Sequence, residues 1–105
     1  MAGIVWTEPA LEDLDEIAEY IAIDKLNAAR RLVRSVFERV DLLSHSPNSG
    51  RKVQELSPSK YKEVIVGPCR VFYRFTEGSV YILHVMRVER ELRKYLLLDR
   101  DIKGR

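Results

Sequence analysis

The side chains best suited to chemistry in this chain are basic and phenolic groups in its second half. They lie in or beside runs rich in Val, Ile, Phe and Tyr, which are typical of β-strands. The set is Lys52, Tyr61, Lys62, Arg70, Tyr73, Arg74, Arg87 and Arg90. An arginine can bind one phosphate or carboxylate through two hydrogen bonds, and a tyrosine ring can stack on a nucleobase. The set indicates a surface for an anionic macromolecule, although strand residues that only solvate an open sheet would have the same composition.

Residues for metal, nucleotide or covalent chemistry are sparse. The sequence has no glycine-rich phosphate-binding motif, and its only cysteine and two histidines are too widely separated for a zinc motif. His45 follows a helical segment and His84 lies in an apolar run, so a helix cap and a buried, hydrogen-bonded imidazole are the favoured roles. Cys69, directly after Pro68, is interpreted as a structural thiol. These residues give no basis for predicting a cofactor, a metal site or a catalytic group.

Composition indicates a single cytoplasmic domain. The 105 residues allow one hydrophobic core, so residues 1–105 are expected to form one domain. Apolar residues make up 46% of the chain, too many for a disordered protein, and no apolar run approaches a membrane span. The N-terminus has no basic segment followed by an apolar run, so we expect no secretion signal. A single cysteine fits a reducing compartment, and we expect a cytoplasmic location without membrane contact.

Charge is distributed unevenly along the sequence. Residues 1–50 contain five basic and nine acidic side chains, whereas residues 51–105 contain thirteen basic and seven acidic side chains. Residues 8–24 alone hold seven acids, and residues 87–105 hold seven bases. Such a field would steer the basic side toward an anionic partner. The alternative is that each set of charges only solvates its own face.

Two amphipathic helices are predicted in the first half, after a short strand over residues 3–6. The first, over residues 9–24, carries an apolar stripe at helical spacing from Ala10 to Ile21, with acidic residues opposite. Asn27 is the expected N-cap of the second helix, whose apolar face runs over residues 29–44 and whose opposite face carries arginines. The short break between them predicts an antiparallel hairpin.

Short apolar runs separated by turn residues predict an antiparallel β-meander in the second half. The strands are expected over residues 51–56, which is the weakest, 61–66, 69–75 and 80–86, with a turn over residues 57–59. A short closing helix is expected over residues 89–98, with Leu92, Tyr95 and Leu96 packed inward, and residues 98–105 are expected to be a flexible tail. The predicted fold class is α+β, with an N-terminal strand, an antiparallel helix hairpin, a meander of three to four strands and a short C-terminal helix.

Several motifs follow one another along the chain in a recognisable order. They are Trp6-Thr7, Asp13-Leu14 and Tyr20-Ile21, then Ser46-Pro47 and Gly50-Arg51, then the stretch from Glu63 to Arg74 with Gly67-Pro68-Cys69-Arg70, and finally Val80 to Val85. In order and spacing they resemble the ParE/RelE superfamily of toxins, and more closely its ParE branch. The resemblance covers roughly residues 4–92. It implies two N-terminal helices packed on a small antiparallel sheet.

ParE-type toxins inhibit DNA gyrase and are neutralised by an antitoxin, so the resemblance implies both of these partners. The residues that it implies for target binding are Lys62, Arg70, Tyr73, Arg87 and Arg90. The residues expected to bind the antitoxin are Tyr20, Ile23 and Leu26. Either a homodimer or a toxin–antitoxin hetero-oligomer is expected.

RelE-type toxins instead cleave messenger RNA in the ribosome. That reaction requires groups that deprotonate the ribose hydroxyl, stabilise charge on the phosphate and protonate the leaving oxygen. If the chain acts in this way, the resemblance implies Lys62, Arg70, Arg87 and Tyr95 as catalytic residues. The second lysine of the family's set falls on Val64, which cannot titrate, so the gyrase inhibitor is the preferred hypothesis. A third hypothesis is a non-toxic remnant that only binds an antitoxin.

Overall fold

The computed structural model describes residues 1–56, 59–93 and 95–104, which form five strands and three α-helices. In chain order the elements are β1 Gly3–Trp6, α1 Glu8–Asp24, α2 Leu26–Asp41, β2 Arg51–Lys52, β3 Lys62–Val66, β4 Cys69–Thr76, β5 Ser79–Arg87 and α3 Leu96–Gly104. The strands form one sheet in the order β1-β5-β4-β3-β2, in which β1 runs parallel to β5 and every other pair is antiparallel. The α+β fold with a helix hairpin and a meander is confirmed.

One face of the sheet is covered by the α1–α2 hairpin and is called the hairpin face here. The apolar stripes of both helices pack against alternate residues of the strands, among them Val64, Val71, Tyr73 and Ile82. Pro9 in the first turn suits the start of α1, because a proline there loses no helical hydrogen bond. The main core lies in this layer.

The opposite face of the sheet is covered by α3 and is called the α3 face. A smaller cluster there joins Phe72, Leu83 and Met86 of the sheet to Leu97 of α3. Two polar contacts fix the helix: Asp101 accepts hydrogen bonds from Tyr61 and Arg74. Both faces of the central strands are therefore buried, which explains why aromatic residues occur at adjacent positions of β4.

The C-terminal prediction was wrong in position. The closing helix was expected over residues 89–98, with a tail after it, but α3 spans Leu96–Gly104 and includes most of the expected tail. Leu97 is fully buried, whereas Tyr95, which was expected to pack inward, is 73% exposed. The reason is tertiary: α3 is held by charged residues far away in sequence, which helical periodicity cannot reveal.

Two smaller differences concern β2 and the start of α2. The weak strand expected over residues 51–56 is a strand only at Arg51–Lys52 and continues as a 3₁₀ turn over Gln54–Leu56. Lys25 rather than Asn27 precedes the first residue of α2, and its side chain forms no capping hydrogen bond. Two residues of the turn expected over 57–59 lie outside the described residues.

Within the described chain, no helix is both long and apolar enough to cross a membrane.

Candidate functional site

Arg70 lies on the α3 face, where its guanidinium binds other side chains of the protein. Its guanidinium donates hydrogen bonds to both oxygens of Glu63, each over 2.8 Å, and to the two oxygens of Glu55 over 2.7 and 2.9 Å. It also lies 4.8 Å from the ring centre of Phe72. Hydrogen bonding to Arg70 keeps the pKa of Glu55 below its ordinary value. Arg70 is only 8% exposed, so little of its side chain is accessible to a target.

Tyr73 lies on the hairpin face and is fully buried. Its hydroxyl donates a hydrogen bond of 2.8 Å to the Pro47 carbonyl and accepts one of 2.9 Å from the Gly50 backbone N–H. A Cβ atom at Gly50 would lie 2.5 Å from this hydroxyl, so only glycine lets the chain approach so closely. Burial raises the pKa of Tyr73. In this position Tyr73 holds the turn before β2 and has no side-chain surface exposed to a target.

The other predicted target-binding residues are accessible, but Lys62 lies at the other end of the sheet from Arg87 and Arg90. Lys62 pairs with Tyr73 and Arg87 pairs with Cys69, so four residues of β4 separate them, or roughly 13 Å at about 3.3 Å per residue. Arg70 pairs with Met86 and faces the opposite side of the sheet from both. The residues implied for a ribonuclease are thus divided between two faces and two ends of the sheet.

Arg87 and Arg90 line a cleft at the C-terminal end of β5, which we call the arginine cleft. It encloses about 380 Å³ between α1, α3 and the end of β5, and Arg93 and Arg100 line it as well. Arg87 pairs with Glu89 and Arg100 with an acid of α1. Arg90 and Arg93 are exposed. Neither side chain forms an ion pair within the part of the chain that the structure describes. The cleft therefore presents guanidinium groups that remain available for an external anion.

A polar triad at the edge of this cleft was not predicted. The Asp13 carboxylate contacts His84 Nδ1 at 2.7 Å, accepts a hydrogen bond from the Val85 N–H at 3.1 Å and binds Arg100, whose Nη2 lies 3.2 Å from Oδ1. Burial raises the pKa of Asp13, but the hydrogen bonds from His84 and Arg100 outweigh that effect and lower it overall. The satisfied buried imidazole expected for His84 is confirmed. Its partners lie 71 and 16 residues away, so sequence spacing gave no signal for them.

An apolar groove between α1 and α2 is the second candidate surface. It encloses about 500 Å³, and its floor is formed by Ala18, Ala22, Leu26, Ala29 and Val33. Arg30 and Arg34 stand on the α2 rim and Glu19 on the α1 rim. We call this surface the hairpin groove.

The three residues expected to bind an antitoxin are all exposed, but they do not form one patch. Leu26 lines the hairpin groove, whereas Tyr20 and Ile23 do not. Tyr20 is two residues from Ala18 of the groove floor, or roughly 200° around a helix with 3.6 residues per turn. It therefore lies on the far side of α1 from Leu26. Four residues before it, Glu16 lines the arginine cleft.

Comparisons with known proteins agree over nearly the whole chain. The family described as the ParE toxin of the parDE type II toxin–antitoxin system matches residues 4–92. Toxin RelE2 of Caulobacter vibrioides is 33% identical over 91 residues, which are 86% of this chain and 99% of that protein. Y4kP of Sinorhizobium fredii, which is also named as a toxin, is 37% identical over 90 residues. These are 84% of this chain and 90% of that protein.

A solved structure supports the fold independently. The chromosomal ParDE toxin–antitoxin system from P. aeruginosa contains a chain that superposes with a TM-score of 0.72 at 23% identity. The match covers 85% of this chain and 98% of that one. At this level of identity the similarity concerns the arrangement of helices and strands.

Proposed function

The chain belongs to the ParE toxin family of type II toxin–antitoxin systems, and from this premise we propose that it is a cytoplasmic toxin that binds and inhibits DNA gyrase. Family membership implies a cognate antitoxin as its partner. The proposal concerns the target, and it is carried by one observation: accessible guanidinium groups converge in the arginine cleft at the end of β5.

The arginine cleft suits a macromolecular target better than a small substrate. Arg90 and Arg93 line it and are exposed, and Arg87 is partly accessible. Guanidinium groups form paired hydrogen bonds with carboxylates, and such contacts set orientation and association rate in protein complexes. We assign Arg87 and Arg90 to target contact, with Lys62 as a separate contact near the other end of the sheet. Arg70 and Tyr73 then act by shaping the sheet rather than by touching the target.

The alternative is a RelE-like messenger RNA endonuclease, and the name of the Caulobacter relative gives it a specific reason to be tested. Such an enzyme needs its base, its acid and its charge-stabilising group around one phosphate. Here Lys62 and Arg87 stand roughly 13 Å apart along the sheet, and Arg70 is enclosed by two carboxylates. This separation supports the inhibitor over the nuclease.

A supercoiling reaction tests the proposal directly. Purified chain is added in stoichiometric excess to gyrase, relaxed plasmid and ATP, and supercoiled and cleaved DNA are measured. We expect inhibition by the natural sequence, at least about tenfold weaker inhibition by Arg87→Gln/Arg90→Gln, and full inhibition by Arg30→Gln/Arg31→Gln. The last variant removes the same charge from exposed positions of α2.

Three results would contradict this proposal in different ways. Unchanged supercoiling, together with messages cut at specific codons in a coupled translation reaction, would favour the ribonuclease. Unchanged supercoiling with intact messages, and no growth arrest when the folded chain is induced alone, would favour a non-toxic remnant. If both double variants inhibit gyrase equally weakly, then overall charge, and not the arginine cleft, is responsible for the inhibition.

We assign the hairpin groove as the surface that binds the antitoxin. An apolar floor beside a rim with Arg30 and Arg34 suits an amphipathic segment that carries acidic residues next to its apolar ones. Leu26 is the predicted contact that lies in this groove. Tyr20 and Ile23, on other sides of α1, are reached only if the antitoxin continues around that helix.

A further inference from the structure

The C-terminal helix α3 carries apolar residues on two sides. On its inner side, Leu97 packs into the cluster on the α3 face and is fully buried. On its outer side, Tyr95 and Ile102 are each 73% exposed and Leu98 is 44% exposed. The Asp99 N–H is bonded to the Tyr95 carbonyl at 3.0 Å, so Tyr95 belongs to the first turn of this helix. We call the three outer residues the α3 stripe.

The α3 stripe follows one line along the helix. Its residues occur at positions i, i+3 and i+7, which a helix of 3.6 residues per turn places within about 60° of one another. Leu97, which faces the sheet, lies roughly 130° from the middle of the stripe. Single exposed apolar residues are common on protein surfaces, but a continuous stripe of them is typical of a protein–protein interface. The outer side of α3 therefore has the character of a surface that a partner covers.

A pocket opens beside the α3 stripe. It encloses about 290 Å³ between Tyr95 and Leu98 on one side and Leu56 and Tyr61 on the other. Ile102 is not part of its lining and lies one helical turn beyond Leu98, or about 6 Å along the axis. The same surface thus carries an apolar pocket and, next to it, an exposed apolar side chain. Such a surface can be complementary to itself.

Charges beside the stripe favour an antiparallel copy of the same helix. Asp99 and Lys103 form an exposed ion pair of 2.9 Å, four residues apart. If two α3 helices lie antiparallel about a twofold axis at the level of Arg100, Ile102 of each copy meets Leu98 of the other at the edge of the pocket. This arrangement also brings Asp99 of each copy near Lys103 of the other, because the order of the two charges is reversed. A parallel pair would instead oppose like charges.

The position of α3 in the fold favours a second copy over the antitoxin as the partner. The hairpin groove, assigned to the antitoxin, lies between the helices that cover the other face of the sheet. The ParE family matches residues 4–92, so α3 lies beyond the part of the chain that the family shares. An interface on α3 is therefore separate from the surfaces that family membership implies.

We propose that two copies of this chain associate through the α3 stripe into a twofold-symmetric dimer. The interface is small, so the dimer exists in equilibrium with the monomer. The arginine cleft stays open in this dimer, because Arg100, which lines it, lies about 170° around α3 from the middle of the stripe. The hairpin groove stays open as well. The inference is thus independent of the proposed gyrase inhibition.

Analytical ultracentrifugation of the purified chain tests the inference. Concentrations from about 1 μM to about 500 μM cover the range in which a small interface associates. We expect a reversible monomer–dimer equilibrium. Ile102→Asp should raise the dissociation constant of the dimer at least about tenfold, because it places an unpaired carboxylate in an apolar contact. Ile23→Asp, the same change at an exposed position of α1, should leave that constant unchanged.

Two charge variants test the antiparallel orientation. Asp99→Lys makes both charged positions basic, and Lys103→Glu makes both acidic. Each variant alone should dimerise about tenfold more weakly than the natural sequence, since like charges then face each other across the axis. An equimolar mixture of the two variants should associate again, because every charge then meets its opposite. Urea unfolding midpoints close to that of the natural sequence establish that the variants are folded.

Several results would overturn the inference. One is a chain that stays monomeric over the whole concentration range. Others are equal weakening of the dimer by Ile102→Asp and Ile23→Asp, and a mixture of the charge variants that does not associate. If the chain is monomeric and Ile102→Asp weakens antitoxin binding, the antitoxin covers the stripe instead of a second copy.

The supercoiling assay distinguishes this inference from the proposed function. Ile102→Asp should dissociate the dimer and still inhibit gyrase. A dimer that does not inhibit gyrase would contradict only the proposed function, and a monomer that inhibits gyrase would contradict only the dimer.

Discussion

Glu63 and Arg70 form an ion pair that is nearly closed to water. The Glu63 side chain is 1% exposed, and Arg70 provides two of its hydrogen bonds. A carboxylate at such a site costs several kcal/mol to bury unless it is paired. The pair joins adjacent strands β3 and β4, and Glu55 extends it to the 3₁₀ turn after β2. At the scale of single residues, Arg70 is thus a part of the sheet's framework.

Replacing Arg70 alone should therefore destabilise the chain strongly. We expect Arg70→Ala to lower the free energy of unfolding by about 3–5 kcal/mol, because Glu63 keeps its charge and loses its main partner. The double change Arg70→Met/Glu63→Leu should recover most of that loss, since it removes both charges at once. Urea denaturation measures both effects. An Arg70→Ala variant as stable as the natural sequence would show that the pair is open to solvent and that Arg70 is free to meet a target.

The carboxylate of Asp13 should make stability depend on acidic pH. Its folded-state pKa lies below the ordinary value of 3.8, so it stabilises the fold above that pH, and the contribution disappears as pH falls through the folded pKa. We expect Asp13→Asn to cost about 1–3 kcal/mol near neutral pH and progressively less below about pH 4. Chemical denaturation across that range tests it. Asp15→Asn, at an exposed position of the same helix, should show no such trend; a constant Asp13→Asn penalty down to about pH 2 would contradict the assignment.

At the scale of elements, α3 is the helix that differs most from the sequence prediction. It covers the α3 face through Leu97, which is fully buried, and is held at its two sides by Arg100 with Asp13 and by Asp101 with Arg74. Its removal would leave Asp13 of α1 without its arginine and Arg74 of β4 without its acid. The helix is therefore an integral part of the domain.

Neighbouring leucines of α3 allow a matched test of that docking. Leu97→Ala should lower the free energy of unfolding by about 2–5 kcal/mol, the usual range for a leucine removed from a core. Leu98→Ala, at a 44% exposed position, should cost less than about 1 kcal/mol. Thermal or urea unfolding of both variants measures the difference. Equal small effects would mean that α3 does not stay packed on the sheet in solution.

The elements also show what sequence could and could not predict. The stripes of α1 and α2 and the runs of β3, β4 and β5 follow from local periodicity, because the spacing of apolar residues within one element distinguishes a helix from a strand. The bonds that define α3 and the arginine cleft join Arg100 to Asp13 across 87 residues and Asp101 to Arg74 across 27. No single-sequence pattern links such positions. For the same reason the sequence marks Arg70 and Tyr73 as prominent residues but does not reveal Glu63 and Pro47 as their partners.

At the scale of the whole molecule, the hairpin groove and the arginine cleft lie on different sides of α1. Ala18 and Ala22 face the groove, while Asp13 and Glu16 line the cleft. A single helix thus separates the surface assigned to the antitoxin from the surface assigned to the target. An antitoxin confined to the groove would not obstruct the cleft directly, whereas one that continued past Tyr20 would approach it.

This arrangement predicts that partner binding and inhibition can be separated by mutation. Leu26→Asp places a negative charge in the hairpin groove at a half-exposed position, so the fold should tolerate it. We expect it to weaken antitoxin binding at least about tenfold, or about 1.4 kcal/mol, and to leave gyrase inhibition intact. Ile102→Asp, an equivalent change on the exposed side of α3, should alter neither property. Calorimetry with the cognate antitoxin and the supercoiling assay measure the two effects.

Tyr20→Ala decides how far the antitoxin reaches. If the partner ends in the groove, this variant should bind it as tightly as the natural sequence, because Tyr20 lies on the far side of α1 from Leu26. A loss similar to that of Leu26→Asp would mean that the antitoxin surrounds α1 and comes next to Glu16 at the arginine cleft. Neutralisation would then follow from direct obstruction of the target surface. Normal binding by both variants would remove the hairpin groove as the antitoxin site altogether.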